Sequence, residues 1–392
     1  MDRIFFDNSA TTRIDDRVLE AMLPFYRTKY GNPSSIHSFG EEAREGMVQA
    51  RERAAFAIGA SPEEIFFTSG GTESNNIALQ GFAFANRKKG KHIITSMVEH
   101  HAILHTCEFL GTQGFDITYL PVDGVGAVDP DAVRSALRDD TILVSIMTAN
   151  NEIGTVQPFR EIGRMAHEMG VAFHTDAVQA ITKVPIDVSE DHIDLLSMSA
   201  HKFHGPKGVG ALYVRKGVPI RPLTYGGGQE RNLRPSTENV PGIVGLGEAI
   251  HLGMREMEAS VRSMLNVREH IIEGTMNVIS GAFLNGARQR RLCNNANFRF
   301  DGVEGEAMVL DLDFHGIATS TGSACSARNT ETSHVMRAIG LTPDQARGAL
   351  RISLSKFSTM EEADRFTKAI EATVKRLRSL APPVPRKSGK EG

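Results

Sequence analysis

The sequence predicts an α/β fold: a large domain on a mostly parallel seven-stranded sheet flanked by helices, then a smaller α+β C-terminal domain. Three observations carry that expectation. Short apolar runs alternate with helix-periodic segments from about residue 60 to 215. Several of those runs are apolar throughout, as strands covered on both faces must be. The alternation ends after Pro241, where a long helical stretch replaces it.

In chain order the candidate strands are 64–67, 92–96, 117–121, 142–147, 172–175, 194–198 and 210–214. The linking segments have helical spacing. Phe159, Ile162, Ala166 and Met169 recur at i, i+3, i+7 and i+10, and Gly170 closes that helix. A helical stretch over 243–279 leads to strands near 296–300, 318–320 and 350–354, with helices near 306–314, 333–339 and 360–380. The large domain is therefore placed at 1–255, its first fifteen or so residues packing with the small domain, and the small domain at 256–380. Residues 381–392, rich in Pro, Lys and Gly, have the composition of a disordered tail.

A length of 392 residues fits about two domains. The 44 Lys and Arg nearly balance 47 Asp and Glu, which gives no basis for binding nucleic acid or a membrane surface. The first residues lack the basic and apolar regions of a signal peptide, and no apolar run reaches the roughly 20 residues of a membrane span. A cytoplasmic protein is expected. Cys107, Cys293 and Cys325 are widely spaced and odd in number, which argues against a disulfide framework.

The apolar run ending at Met198 leads into Ser199-Ala-His201-Lys202. A lysine at the mouth of a buried strand loses solvation, so its amine pKa falls and it becomes nucleophilic. Another strand ends at Asp176, with Gln179 just beyond. A Schiff-base lysine plus an aspartate for a pyridinium nitrogen is the pairing that pyridoxal phosphate demands. Alone, Lys202 reads as a salt-bridged surface lysine. The stretch Thr68-Ser-Gly-Gly71-Thr72 follows a strand and opens a helix, either as a phosphate cup or as an ordinary helix cap. His100 follows a strand end and suits ring stacking and proton transfer. His101 and His105 share a helix face but lack an accompanying metal motif. Asn151 lies just past a strand end, where it is a turn-former or a contact to a ring oxygen or carboxylate. Arg351, in an apolar strand, is either a structural ion pair or a clamp for a carboxylate. Cys325 lies in a stretch of small polar residues rather than in an apolar pattern, which makes it the thiol to follow.

These pieces in this order resemble the cysteine desulfurases of the NifS/IscS-like class, among the fold-type I pyridoxal phosphate enzymes. The resemblance runs from Phe6-Asp-Asn8-Ser-Ala-Thr-Thr12 and Gly31-Asn-Pro-Ser-Ser35 through the glycine turn, Asn150-Asn-Glu-Ile-Gly154, His174-Thr-Asp-Ala-Val-Gln179 and the lysine motif. It continues to Gly226-Gly-Gly-Gln-Glu-Arg231, Gly322-Ser-Ala-Cys325 and Arg351. It implies a fold-type I protein with pyridoxal 5'-phosphate on Lys202, which later shuttles the Cα proton. Asp176 is implied to pair with the pyridine nitrogen, Gln179 with the ring hydroxyl, and His100 to stack on the ring as acid and base. Gly71, Thr72, Ser199 and His201 are implied to hold the phosphate, and Thr237 to reach the phosphate of a second subunit, hence a homodimer. Asn151 is implied to lie against both cofactor and substrate, and Arg351 with Asn8 to hold the substrate carboxylate.

The implied reaction converts L-cysteine to L-alanine and leaves the sulfur on Cys325 as a persulfide. An acceptor protein such as an iron–sulfur scaffold then takes it. No intrinsic metal is expected, with Cys325 at most a transient iron–sulfur ligand. Ala200 stands where relatives often have glycine, and the short end after Leu380 puts scaffold binding there in doubt. A class V aminotransferase, a selenocysteine lyase or a non-catalytic sulfur-trafficking adaptor are the alternatives. The residues do not choose between nitrogenase maturation, general iron–sulfur assembly and tRNA thiolation.

Overall fold

A computed structural model describes residues 3–321 and 332–380 of the chain. Its described strands are β1 (Ile4–Phe5), β2 (Ile65–Thr68), β3 (His92–Ser96), β4 (Asp116–Leu120), β5 (Thr141–Ser145), β6 (Ala172–Asp176), β7 (Leu195–Ser199), β8 (Gly210–Val214), β9 (Ala282–Asn285), β10 (Asn295–Phe300), β11 (Ile317–Ala318) and β12 (Ala349–Ser353). Strands β2 to β8 form one seven-stranded sheet in the order β2-β8-β7-β6-β5-β3-β4. The β4-β3-β5-β6-β7 run is parallel, while β8 is antiparallel to both β7 and β2. Every residue of β3, β5, β7 and β8 is buried, which is why these segments read as continuous apolar runs. Parallel strands place their carboxyl ends side by side, where ligands bind in such folds. Here those ends lead to His100, Asn150, Asp176 and Ser199.

Buried polar side chains cross-link the middle of this sheet. His174 on β6 bonds Ser145 of β5 through Nδ1 (2.8 Å) and Ser197 of β7 through Nε2 (3.2 Å). Burial pushes its pKa down to about 3, so the ring is neutral.

The helix expected around residue 160 spans Phe159–Glu168. Its apolar stripe ends at Ala166; Met169 lies past the helix and is exposed, because the chain turns out through Gly170 at φ +69°. The long helical stretch is two helices, Val240–Arg255 and Met257–Val278, meeting at Glu256. There Arg17 and Lys356 bind the Glu256 carboxylate at 2.5 and 2.8 Å, which holds its pKa at about 2. Strand β9 has no counterpart in the sequence reading. It is four residues long, lies at a sheet edge, and is bracketed by Gly281 and Gly286, which resemble turn punctuation.

The C-terminal sheet is β12-β10-β9, antiparallel throughout, and β1 pairs in parallel with β11. One apolar cluster runs from Val18 to Leu252, whereas another joins Ile4 and Phe6 to residues between Met264 and Val374. On this partition we propose the boundary between the two domains near residue 255, with the first residues belonging to the small domain's core. The expectation for 381–392 lies outside the described residues.

The turn Asn150–Gly154 bolts the two sheets together. Asn150 Oδ1 accepts from the amides of Glu152 and Ile153, both at 2.9 Å, so the asparagine shapes its own turn. The Glu152 carbonyl accepts from the amides of Asn295 and Asn297 on β10, both at 3.1 Å. Gly154 sits at φ +77°, and a Cβ there would stand 2.5 Å from Asn295 Oδ1. Gly154→Ala is therefore expected to cost about 1–3 kcal/mol and lower the thermal midpoint by a few degrees. Gly302→Ala, at the same φ of +77° with nothing within 4 Å, should cost less, and calorimetry of both variants checks the difference.

Candidate active site

The lysine turn comes first. Strand β7 ends at Ser199, and Ala200–Lys202 forms a single 3₁₀ turn that carries Lys202 over the sheet end. Lys202 Nζ donates to the carbonyls of Ser9 and Ala10, each at 2.7 Å. Burial lowers the amine to about 8, and the neighbouring charges of Arg351 and Lys183 push the same way. Asp176, at the end of β6, accepts from Asn75 Nδ2 at 2.7 Å and from the Val178 amide at 3.0 Å. Both its oxygens are thereby fixed. Gln179 Nε2 donates to the Ser9 carbonyl at 3.0 Å, so Ser9 serves both Gln179 and Lys202.

The glycine turn after β2 leads into helical backbone from Gly71 to Asn86, with a π-helical turn over Ile77–Gly81. Gly70 adopts φ +152°, a conformation that favours glycine. A Cβ on Gly71 would stand 2.7 Å from Val178 Cγ2, so glycine is what lets this turn approach the Asp176 loop. His201 Nδ1 lies 3.1 Å from Thr11 Oγ1, and burial lowers its pKa to about 4. His100 caps the helix His101–Thr112, and its Nδ1 accepts from the Ala102 amide at 3.1 Å. A backbone N–H can only donate, so Nδ1 is bare and the proton of the neutral ring sits on Nε2. Burial lowers its pKa and favours that neutral form.

Arg351 on β12 is 2% exposed in its side chain and binds Asp7 at 2.7 Å and the Asn151 carbonyl at 3.0 Å. Both sequence alternatives for it thus find a basis: it is ion-paired, and it lines the cavity. One cavity of about 310 Å³ collects Gly71, Thr72, His100, Asn151, Asp176, Gln179, Ser199, His201, Lys202 and Arg351. Two expected residues do not line it. Asn8 spends its amide on the carbonyls of Phe5 (2.8 Å) and Ser353 (2.9 Å), so it braces β12 beneath Arg351 instead of facing the cavity. Thr237 is exposed and does not line the cavity. Cys325 lies outside the described residues. The described residues contain no cluster of three or more His, Cys, Asp or Glu able to hold a metal.

The sequence reading missed several groups at this cavity. Asn75 was legible only as the last residue of the glycine-turn motif. The Ser9 and Ala10 carbonyls carry no side-chain signal at all. Glu99 is buried beside His100, receives the Ser96 hydroxyl at 2.7 Å and the Met147 amide at 3.0 Å, and is pushed up to about 8 by burial. Glu152 lines the cavity and accepts the Ser333 hydroxyl at 2.6 Å; burial raises its pKa too. An acid at the end of a buried strand was the available signal for both.

The family model for aminotransferase class-V matches residues 4–366. "Cysteine desulfurase IscS" of Methanosarcina thermophila is 54% identical over 98% of this chain and 95% of its own length. A solved structure described as "NIFS-LIKE PROTEIN" superposes with a TM-score of 0.90 at 45% identity, covering 95% of this chain and all of that one. Another, "SspA in complex with cysteine", gives 0.81 at 40% identity over 91% of this chain and 100% of its own. With the family match spanning both sheets and every cavity residue named above, this chain belongs to the aminotransferase class-V family, on its NifS/IscS-like branch.

Proposed function

We propose that the protein is a cysteine desulfurase, taking L-cysteine to L-alanine and passing the sulfur to Cys325. The cofactor of the family is pyridoxal phosphate. The cavity residues fit that group. Thr72, Ser199 and His201 offer polar donors beside the start of the Gly71 helix, suited to a phosphate. The Asp176 carboxylate suits a protonated ring nitrogen, and the Lys202 amine lies in the same cavity. Bound there, the cofactor acts as an electron sink for the substrate carbon.

The chain's own groups supply the rest. An amine near 8 is largely protonated at neutral pH yet readily gives up its proton, as a lysine that both attacks and shuttles protons requires. Neutral His100 has a proton to offer only from Nε2, because the helix cap occupies Nδ1. The planar Arg351 guanidinium suits a substrate carboxylate. Cys325 as thiolate attacks the substrate sulfur, the C–S bond breaks, and a proton replaces sulfur on the departing alanine. The sulfur is oxidised and the carbon reduced, so no outside oxidant is needed. One observation carries the desulfurase reading over an aminotransferase: a relative named cysteine desulfurase is 54% identical over 98% of this chain, and Cys325 offers the thiol that reaction needs. Ser320 pairs with the Arg351 backbone at 2.6 and 3.2 Å, and Ser333 donates to Glu152. Thr237, exposed on its own protomer, fits a contact to a second subunit of a homodimer, and the acceptor of the sulfur is a further protein such as an iron–sulfur scaffold.

Cysteine given to the purified protein should yield alanine and one sulfur on the peptide that holds Cys325, read by mass spectrometry. Cys325→Ser should keep the cofactor and bind cysteine, with sulfide release down by at least about two orders of magnitude. Cys107→Ser and Cys293→Ser, both at buried thiols raised by burial, should match wild type. Wild-type sulfide production by Cys325→Ser would make the protein a different lyase or an aminotransferase. Arg351→Lys keeps the charge but loses the planar fork, and should raise KM for cysteine on the order of tenfold with cofactor content retained. The amine reacts with an aldehyde only when neutral, and neutrality sets in above its pKa. Reloading of stripped protein with pyridoxal phosphate should therefore accelerate with pH and level off just above about 8. A rate still climbing beyond about pH 9.5 would indicate an unshifted lysine.

A further inference from the structure

Beneath the lysine turn lies a second lysine that the reaction above does not use. Lys183 Nζ donates to the main-chain carbonyl of Lys202 at 3.1 Å and to that of Gln179 at 3.2 Å. No carboxylate pairs with it among the described residues, and burial brings its amine down to about 8. Lys183 is half-buried, and drawing an ammonium out of water without a counter-charge is costly. The backbone that aims it is also strained. Thr182 holds φ +65°, an unusual conformation for a β-branched residue. Its Cγ2 occupies the space beside Gly253, where a Cβ would come within 2.5 Å.

We propose that Lys183 is a positioning residue for the cofactor site, clamping the loops after β6 and β7 through the carbonyls of Gln179 and Lys202 and placing a positive charge near the Lys202 amine. The proposal rests on the cofactor-bound enzyme read above, and deepens it. Two loops must hold a fixed relation for the site to work: one carries Asp176 and Gln179, the other His201 and Lys202. The sheet fixes only their roots, through the β6–β7 ladder that ends at Asp176 and Ser197. Past those residues the Lys183 amine joins one loop to the other directly. Its charge acts in the same direction as Arg351 on Lys202, against the opposing pull of Asp7 and Asp176. His100 and His201 also face this cavity and are neutral, so they leave that balance to the four charged groups.

Two variants of the holoenzyme separate the clamp from the charge. Lys183→Met removes both; Lys183→Gln keeps an amide donor and removes the charge. The readout is the pH midpoint of the visible absorbance of the bound cofactor, measured without substrate, together with kcat and KM for cysteine. Removing a cation near Lys202 favours the protonated form, so the midpoint should rise in both variants, by roughly half a unit. In Lys183→Met, kcat should also fall on the order of tenfold with KM within about twofold, the mark of misplaced groups rather than lost binding. In Lys183→Gln, kcat should stay nearer wild type. An unmoved midpoint in both variants overturns the proposal and leaves Lys183 a structural residue. If Lys183→Met does not fold, the Lys183→Gln midpoint decides alone. Since the titration needs no substrate, its outcome is independent of cysteine turnover: a wild type that fails to release sulfur sinks the desulfurase reading and not this one.

Discussion

The register of three neighbouring strands is what the site depends on, and one buried imidazole holds it. His174 reaches Ser145 on one side and Ser197 on the other, tying β5, β6 and β7 at matched heights. A slip of one residue would turn every side chain of a strand to the opposite face. Those three strands end in the Asn150 turn, in Asp176 and in the Lys202 turn, so a slip would also scatter the groups of the cavity. A charged ring would lack a counter-charge here, since only neutral serine hydroxyls lie at its nitrogens. A neutral ring accepts from one hydroxyl and donates to the other, and burial enforces that neutrality.

From that base the cavity is completed by parts from far away in sequence. The carbonyls of Ser9 and Ala10 hold the Lys202 amine, and Arg351 arrives from β12 already gripped by Asp7. The Asn150–Gly154 turn stands between, taking Arg351 on the Asn151 carbonyl and the β10 asparagines on the Glu152 carbonyl. Substrate-facing and cofactor-facing groups thus share one short rigid turn, whose shape comes from the Asn150 side chain.

The large sheet was legible because its strands are apolar runs of five or so residues, a signal that double-sided burial writes directly into composition. Lys202, Asp176 and His100 were legible for the opposite reason: each is a titratable residue at the end of such a run. Strand β9 was not, since one exposed edge and flanking glycines erase the pattern. Asn8 carries the family's motif, but its contacts were not legible: its amide nitrogen is engaged by two backbone carbonyls. Lys183 and Asn75 act on their neighbours through distances that no local pattern encodes, and the Ser9 and Ala10 carbonyls belong to the backbone. Glu99 and Glu152 are acids just past strand ends, and only the closed fold buries them.

The pairing of β1 with β11, and of Asn8 with Ser353 across 345 positions, also sets an order of events during synthesis. The large sheet is complete once the ribosome has passed Val214, and domains fold as units while the chain emerges. The first ten residues, however, have no strand to join until Ile317 and then Ser353 have appeared. Until then the segment that carries the lysine's carbonyl partners waits unpaired at the start of the chain, and contacts of such separation form slowly. Lys202, Asp176 and the glycine turn are thus assembled while one wall of their cavity is still missing. The nascent chain therefore passes through a stage in which a cofactor could enter an open half-site, to be walled in only when the first and last strands meet.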